Sequence, residues 1–339
     1  MSADLSTALP KAFRGRSLTI IKTLITILLC GVIVMQGDWN KIWSAFRNAN
    51  PFLIAVVFAG MLGGVAISAY KWQAVLSIHG IHYTFIQLQR YYYTSVFFNN
   101  FLPSNIGGDV YRIFQTVRRQ PNRAGAVAAV VTERLTGIWA LIALGAVGGI
   151  LVYFSDPMCP VWILPALFVF STVTLTPLVL LIFSRRAIAW CLALPRFPQK
   201  LKNVLLLSED YRRHSLKTLH IIGISFGFHL FTLTWMLLLA YAVGGHTSMH
   251  RLVLGFALCN LAALLPLSLN GIGLFDGSFI YVMADLGMSF DAALMMMLVI
   301  RALLIVLSLI GGMFYLRDRK DVNVKVMRDP TADFYKEQA

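Results

Sequence analysis

The chain has 339 residues, of which 58% are hydrophobic and only 13% charged, with a mean hydropathy of +0.71. That composition leaves too little polar surface to cover a water-soluble globule of this size, which excludes an ordinary soluble domain. The formal net charge of +14 does not indicate nucleic acid, because the basic residues are dispersed between apolar runs, where attraction to anionic lipid headgroups of about 1 kcal/mol per residue accounts for them.

Residues 1–17 form a basic tail containing Lys11, Arg14 and Arg16. Apolar runs follow at about residues 18–36, 52–70, 125–154, 161–183, 218–243 and 292–316, each long enough to cross about 30 Å of hydrocarbon with roughly 20 helical residues. No small-residue cleavage site with a polar continuation follows the first run, so it is expected to stay as an anchor. Two further runs, about 86–116 and 251–287, are interrupted. The first breaks at Leu102-Pro-Ser-Asn-Ile-Gly-Gly-Asp109 and the second at Leu265-Pro-Leu-Ser-Leu-Asn-Gly-Ile-Gly-Leu-Phe-Asp-Gly277, with the same Leu-Pro, Asn, Gly and Asp punctuation. Such breaks leave backbone groups that hydrocarbon cannot satisfy, and they persist only inside protein or beside a polar cavity. Pro103 and Pro266 are therefore candidate hinges. The expected fold is all-α: a polytopic integral membrane protein with about six full spans, two broken re-entrant helical hairpins and an inverted repeat.

Basic residues concentrate in short loops kept in the cytoplasm, and this orients the chain. With both hairpins re-entrant, the N-terminal tail, the segment holding Arg112, Arg118, Arg119 and Arg123, the basic loop 184–217 and the tail 317–339 all face the cytoplasm. Lys41, Arg47 and Arg251 remain outside. The loop contains Pro195, Pro198 and an amphipathic stretch around 201–207 suited to lying along the inner leaflet. A single transmembrane domain, 18–316, then divides into repeat one, about 18–154, and repeat two, about 161–316. Each holds three spans and one hairpin, and the odd number of crossings inverts the second. Gly107 precedes Arg134 by 27 residues and Gly273 precedes Arg301 by 28. Paired breaks in an inverted repeat point to a transporter-like site near the bilayer midplane.

Glu133, Arg134 and Arg301 lie within apolar runs, where each charge costs about 2.5 to 3.5 kcal/mol on insertion scales and is usually paired or functional. Helix neighbours point about 100° apart, so Glu133 and Arg134 each need a partner on another element. Arg134 and Arg301 are candidates to hold an anionic headgroup, because a guanidinium fork grips phosphate through two parallel hydrogen bonds. Glu133 would balance their charge or carry a coupling proton. The competing reading is an internal clamp, for instance Glu133 with Arg301, with Arg134 snorkelling toward the end of its span. Gly107, Gly108, Gly271 and Gly273 would let backbone donors approach a phosphate at a half-helix N-terminus. Asp109 and Asp276 either cap those ends or turn toward Arg112 or Arg301. Asn100 and Asn270 complete the substrate-binding candidates, while Asn99 and Asn105 are further groups able to satisfy broken backbone.

The stretch Phe98-Asn-Asn-Phe-Leu-Pro-Ser-Asn-Ile-Gly-Gly-Asp-Val-Tyr-Arg112, then Thr132-Glu-Arg-Leu135, Pro266 to Gly273, and Arg301 with Gly311-Gly312 resembles the transmembrane module of the lysylphosphatidylglycerol synthase/flippase family. The resemblance covers nearly the whole chain. It implies a bacterial or archaeal inner-membrane protein that moves lipids or a lipid-linked precursor between leaflets. Family members with full resistance function carry a soluble domain that transfers an amino acid from charged tRNA to phosphatidylglycerol. This chain ends about 23 residues after its last apolar run, so the synthase half and its aminoacyl transfer are not expected. Where relatives often carry Glu after the second Gly-x-Gly, this chain has Asp276.

Other chemistry finds little support. Cys30, Cys159, Cys191 and Cys259 are widely spaced and suggest packing rather than disulfides or zinc. His229 falls within a span and reads as a hydrogen-bonded core residue. His79 and His82 fall in a loop, His246 and His250 flank a turn, and their spacing alone makes no metal site. The run Tyr91-Tyr92-Tyr93 with Phe97 and Phe98 suits core packing, with a lipid groove as the alternative. No Gly-x-x-x-x-Gly-Lys-Ser/Thr loop is present, so ATP is not an evident energy source, and no cofactor or soluble protein partner is expected. The expected activity is non-enzymatic translocation of an anionic lipid. The alternatives are a membrane-embedded transferase acting on a lipid-linked substrate and an ion-coupled transporter of a small anion.

Overall fold

A computed structural model describes residues 23–29, 31–33, 35–101, 107–119, 122–155, 208–263, 268 and 271–318, and among them every regular element is a helix. In chain order these are α1 (Thr23–Ile33), α2 (Trp39–Asn48), α3 (Pro51–Ile78), α4 (Phe85–Phe101), α5 (Gly107–Arg119), α6 (Arg123–Ser155), α7 (Ser208–Arg213), α8 (Ser215–Ala242), α9 (Met249–Ala263), α10 (Leu274–Asp285) and α11 (Phe290–Asp318). Helices α3, α6, α8 and α11 are long and apolar enough to cross a membrane. The protein is therefore an all-α polytopic membrane protein. Pro103, Asn105, Pro266 and Asn270, the apolar run 161–183, loop 184–217 up to residue 207, the expected N-terminal tail and the C-terminal tail from residue 319 lie outside the described residues.

Local chemistry sets the helix ends. Asn50 caps α3 by accepting the backbone N–H groups of Phe52 and Leu53, and Pro51 occupies the first turn, where its missing N–H costs nothing. The other end stops at Gly80, whose φ of +70° suits a residue without a Cβ, and the Ile81 N–H returns to the Leu76 carbonyl at 3.1 Å. Helix α8 ends the same way at Gly244, with the Gly245 N–H on the Ala240 carbonyl at 2.8 Å. The expected span 52–70 thus continues to Ile78 and takes Lys71 inside the protein.

Packing relates the two halves reciprocally. Helix α4 of the first half lies along α11 of the second, α9 of the second lies along α6 of the first, and α3 packs on α8 between them. Glycines permit both reciprocal crossings, as is usual where helix backbones approach within a membrane. A Cβ on Gly311 would collide with the Tyr93 carbonyl, and one on Gly145 with the Ala257 side chain. One apolar core gathers Leu233, Met236, Leu252, Phe279 and Met296, and another gathers Trp72, Leu76, Tyr91, Tyr111 and Val130. A smaller cluster of Met61, Val65, Tyr93 and Leu307 lies on α3, α4 and α11. Large apolar side chains such as Phe154, Leu219 and Met313 are exposed on the periphery, where hydrocarbon rather than water is the fitting solvent.

Candidate functional site

Both interrupted runs fold as helical hairpins: α4 packs against α5, and α9 against α10. In the first, the Gly108 N–H donates to the Asn99 side chain at 2.8 Å, and a Cβ on Gly108 would collide with the Ser95 carbonyl. In the second, the Gly273 N–H donates to Asp276 Oδ2 at 3.0 Å. The backbone donors of Gly108 and Gly273, expected to await a phosphate, are thus already engaged inside the protein. Gly107 opens α5, and Gly271, at φ +70°, lines a cavity described below.

The first hairpin is held by a buried ionic network. Arg112, expected in a basic segment facing the cytoplasm, has its side chain wholly buried within the protein. One of its Nη atoms pairs with Glu133 and the other donates to Asp109 Oδ1 at 2.7 Å. Its guanidinium carbon lies 4.5 Å from the centroid of the Tyr92 ring and 5.0 Å from that of Trp72, within cation–π range. Glu133 also accepts the Tyr92 hydroxyl at 2.8 Å, and its backbone carbonyl accepts Lys71 Nζ at 2.8 Å. Arg134 grips Asp109 from Nε at 3.0 Å and Nη2 at 2.9 Å. Glu133 and Arg134 therefore do find partners on another helix. The suggested clamp of Glu133 with Arg301 does not form, because Arg112 fills that place.

Arg301 repeats the Arg134 arrangement. It donates from Nε to Asp276 Oδ1 and from Nη2 to Asp276 Oδ2, each at 2.9 Å. In both halves the arginine lies 25 residues after its aspartate. No second Arg–Glu pair backs this one, since Phe279 and Ile300 stand where Arg112 and Glu133 stand in the first half. Among the described residues, Nη1 of Arg301 has no partner.

Arg301 lines a cavity of about 300 Å³ together with Asn99, Asn100, Gly271, Asp276 and Ser308. Asn100 donates to the Ser308 hydroxyl in its wall at 3.0 Å. A second cavity of about 320 Å³ is walled by Met61, Val65, Phe228, Trp235 and Leu307. The two share Val96, Phe275, Ile300 and Leu304, so a chamber with polar side chains on part of its wall adjoins an apolar one across four side chains. Arg134, with half of its side chain exposed, lines neither chamber. The expectation that Arg134 and Arg301 face one hollow is corrected: each is directed to the aspartate of its own hairpin.

Sequence reasoning missed Lys71, Trp72, Tyr92 and Ser308. Lys71 follows the run 52–70 directly and reads as its polar end, while nothing distinguishes Tyr92 from Tyr91 and Tyr93 before the helix positions are known. His229 donates from Nε2 to the Gly137 carbonyl at 2.9 Å, as a core histidine does, and Cys259 is buried. His79 lies in the turn that follows α3, as expected of a loop residue, with its side chain buried against Asp210 and Tyr211. Among the described residues no group of three or more His, Cys, Asp or Glu side chains is placed to hold a metal ion.

Reciprocally packed helix hairpins, Asp–Arg clamps inside an apolar bundle and two adjoining chambers define a polytopic α-helical membrane protein. The chain belongs to the family described as the lysylphosphatidylglycerol synthase TM region, which it matches over residues 19–312. That membership places it among membrane proteins that handle lipid. No curated protein and no solved structure matches it.

Proposed function

We propose that this protein is a lipid translocator, passing an anionic phospholipid or lipid-linked precursor between the leaflets of a bacterial or archaeal cytoplasmic membrane, with both termini on the cytoplasmic side. The observation that carries the reading is the shared wall of the two chambers, Val96, Phe275, Ile300 and Leu304. An amphiphile needs a polar place for its headgroup while its chains stay out of water, since exposing them costs about 0.8 kcal/mol per CH₂. Arg301, Asn100 and Ser308 supply the polar side; Met61, Phe228 and Leu307 supply the apolar side. The Nη1 end of Arg301 meets the phosphate, and Asp276 holds the fork when the chamber is empty of lipid.

The matched Asp–Arg spacing and reciprocal packing support an inverted repeat with re-entrant hairpins, the arrangement in which access alternates by rocking one repeat against the other. Gly145 follows Arg134, and Gly312 follows Arg301, by the same eleven residues, which supports it further. Within this reading the Arg112–Glu133 couple anchors the first hairpin, and the second hairpin, lacking it, is the one that moves. Glu133 is then a structural pillar rather than a proton carrier, and no bond in the lipid is made or broken.

Reconstitution into sealed liposomes with headgroup-labelled phosphatidylglycerol tests the reading. Leaflet exchange above the protein-free rate, lost in Arg301→Ala and without chemical change to the lipid, is expected. A modified lipid product would instead assign the protein to transferases, and uptake of a water-soluble anion would assign it to ion-coupled transporters.

A further inference from the structure

A third cavity, of about 370 Å³, lies away from the Arg301 chamber, between the C-terminal third of α3, the connection to α4 and the first turns of α8. Tyr83 donates to the Thr116 carbonyl at 3.0 Å and Asn122 to the His79 carbonyl at 3.1 Å. Those bonds bring the end of α5 and the start of α6, with Arg118 and Arg123, to the same end of the bundle. The cavity is lined by Tyr70, Gln73, His82, Tyr83, Lys217 and His220, with small and apolar residues between them and no carboxylate among the described residues. An ammonium group and two imidazoles without a facing acid make a site for an anion.

The hydrogen-bond inventory agrees. Tyr70 Oη and His220 Nε2 are 3.3 Å apart. If the hydroxyl donates, His220 keeps Nδ1–H; if the imidazole donates, Tyr70 keeps its O–H. Either way the pair retains one donor for a ligand. Lys217 adds three ammonium donors and, among the described residues, has no carboxylate partner. Beside it on α8, Leu216 and Leu219 are 83% and 66% exposed. A free inorganic anion gains nothing from those leucines, whereas a lipid places its phosphate among the donors and its chains along them.

We propose that this cavity is a separate headgroup site, binding the phosphate of an anionic membrane lipid at the basic end of the bundle. It stands independently of whether the Arg301 chamber carries the transported lipid. Lys217, His220 and Tyr70 hold the phosphate, and Leu216 and Leu219 distinguish a lipid from free phosphate.

The test counts phosphatidylglycerol molecules retained by the full-length protein in detergent by native mass spectrometry, for the native chain, Lys217→Gln/His220→Gln, Arg301→Ala and the three changes combined. Lys217 and His220 are exposed, so their substitution leaves the fold intact, which the thermal transition checks. The expected result is one fewer retained lipid on adding Lys217→Gln/His220→Gln, whether residue 301 is Arg or Ala. Diacylglycerol, which lacks the phosphate, is expected to show no such dependence, and millimolar inorganic phosphate is expected not to displace the lipid. An unchanged count, an equal loss of diacylglycerol, or displacement by inorganic phosphate would overturn the assignment. Because the count is read in both residue-301 backgrounds, failure of the Arg301 reading leaves this result interpretable.

Discussion

Arg301 holds both carboxylate oxygens of Asp276 from Nε and Nη2, at 2.9 Å each, on the wall of the polar chamber. A phosphate reaching that chamber meets a guanidinium already oriented by its neighbour. Lysine would keep the charge and lose the planar fork. Arg301→Lys is therefore expected to slow lipid exchange about tenfold, equivalent to about 1.4 kcal/mol, and Arg301→Ala to slow it further. Dithionite quenching of labelled lipid in liposomes measures both. A lysine variant as fast as the native protein would show that the fork is not used.

The Arg112–Glu133 couple is predicted to support the fold. Removing Glu133 leaves Arg112 only the Asp109 carboxylate, which it shares with Arg134, so the buried cluster keeps one uncompensated positive charge, a loss of about 3 to 5 kcal/mol. Glu133→Gln should lower stability by that amount in denaturant titrations of the detergent-solubilised protein. Arg112→Met together with Glu133→Gln should recover more than half of it, because no charge is then stranded. If the double variant is as unstable as the sum of the two single ones, the loss comes from packing instead.

Two glycines in long helices are expected to respond oppositely to the same methyl group. At Gly311 a Cβ runs into the Tyr93 carbonyl where α4 crosses α11, whereas at Gly223 nothing lies within 4 Å. Overpacking of this kind costs about 1 to 3 kcal/mol, while the higher helix propensity of alanine makes Gly223→Ala neutral or slightly favourable. Thermal unfolding of the two variants side by side separates them. Equal transition temperatures would argue against the close α4–α11 approach.

Stability is predicted to fall in mild acid through His79. Burial holds its imidazole below the usual histidine range despite the Asp210 carboxylate 3.3 Å away, and Nε2 lies 2.7 Å from the Tyr211 hydroxyl. Because the folded protein binds that proton less readily than the unfolded chain, the stabilisation is complete above about pH 6.5. It is lost progressively as the pH falls from there toward the lower folded value. Melting between pH 5 and 8 should show this slope in the native chain and a shallower one in His79→Asn. Identical slopes would assign the acid sensitivity elsewhere.

Much of the architecture is written in the order of residue types. The apolar runs 52–70, 125–154, 218–243 and 292–316 became α3, α6, α8 and α11, because hydrocarbon admits only backbone that bonds to itself and helix is the local way to do so. The interrupted runs became hairpins because a Leu-Pro and Gly-rich break cannot continue a helix. Even the need of Glu133 and Arg134 for partners on another element is legible, since adjacent positions diverge around a helix axis. Which partner answers is a matter of three dimensions. Arg112 reaches Glu133 only because α5 folds back beside α6, and Asn100 joins Arg301 and Ser308, two turns apart on α11, around one chamber only because α4 of one half lies against α11 of the other. Charge, hydropathy and backbone chemistry act over a few residues and are carried by the chain itself, whereas the shared wall between polar and apolar chambers depends on contacts between distant segments that packing alone brings together.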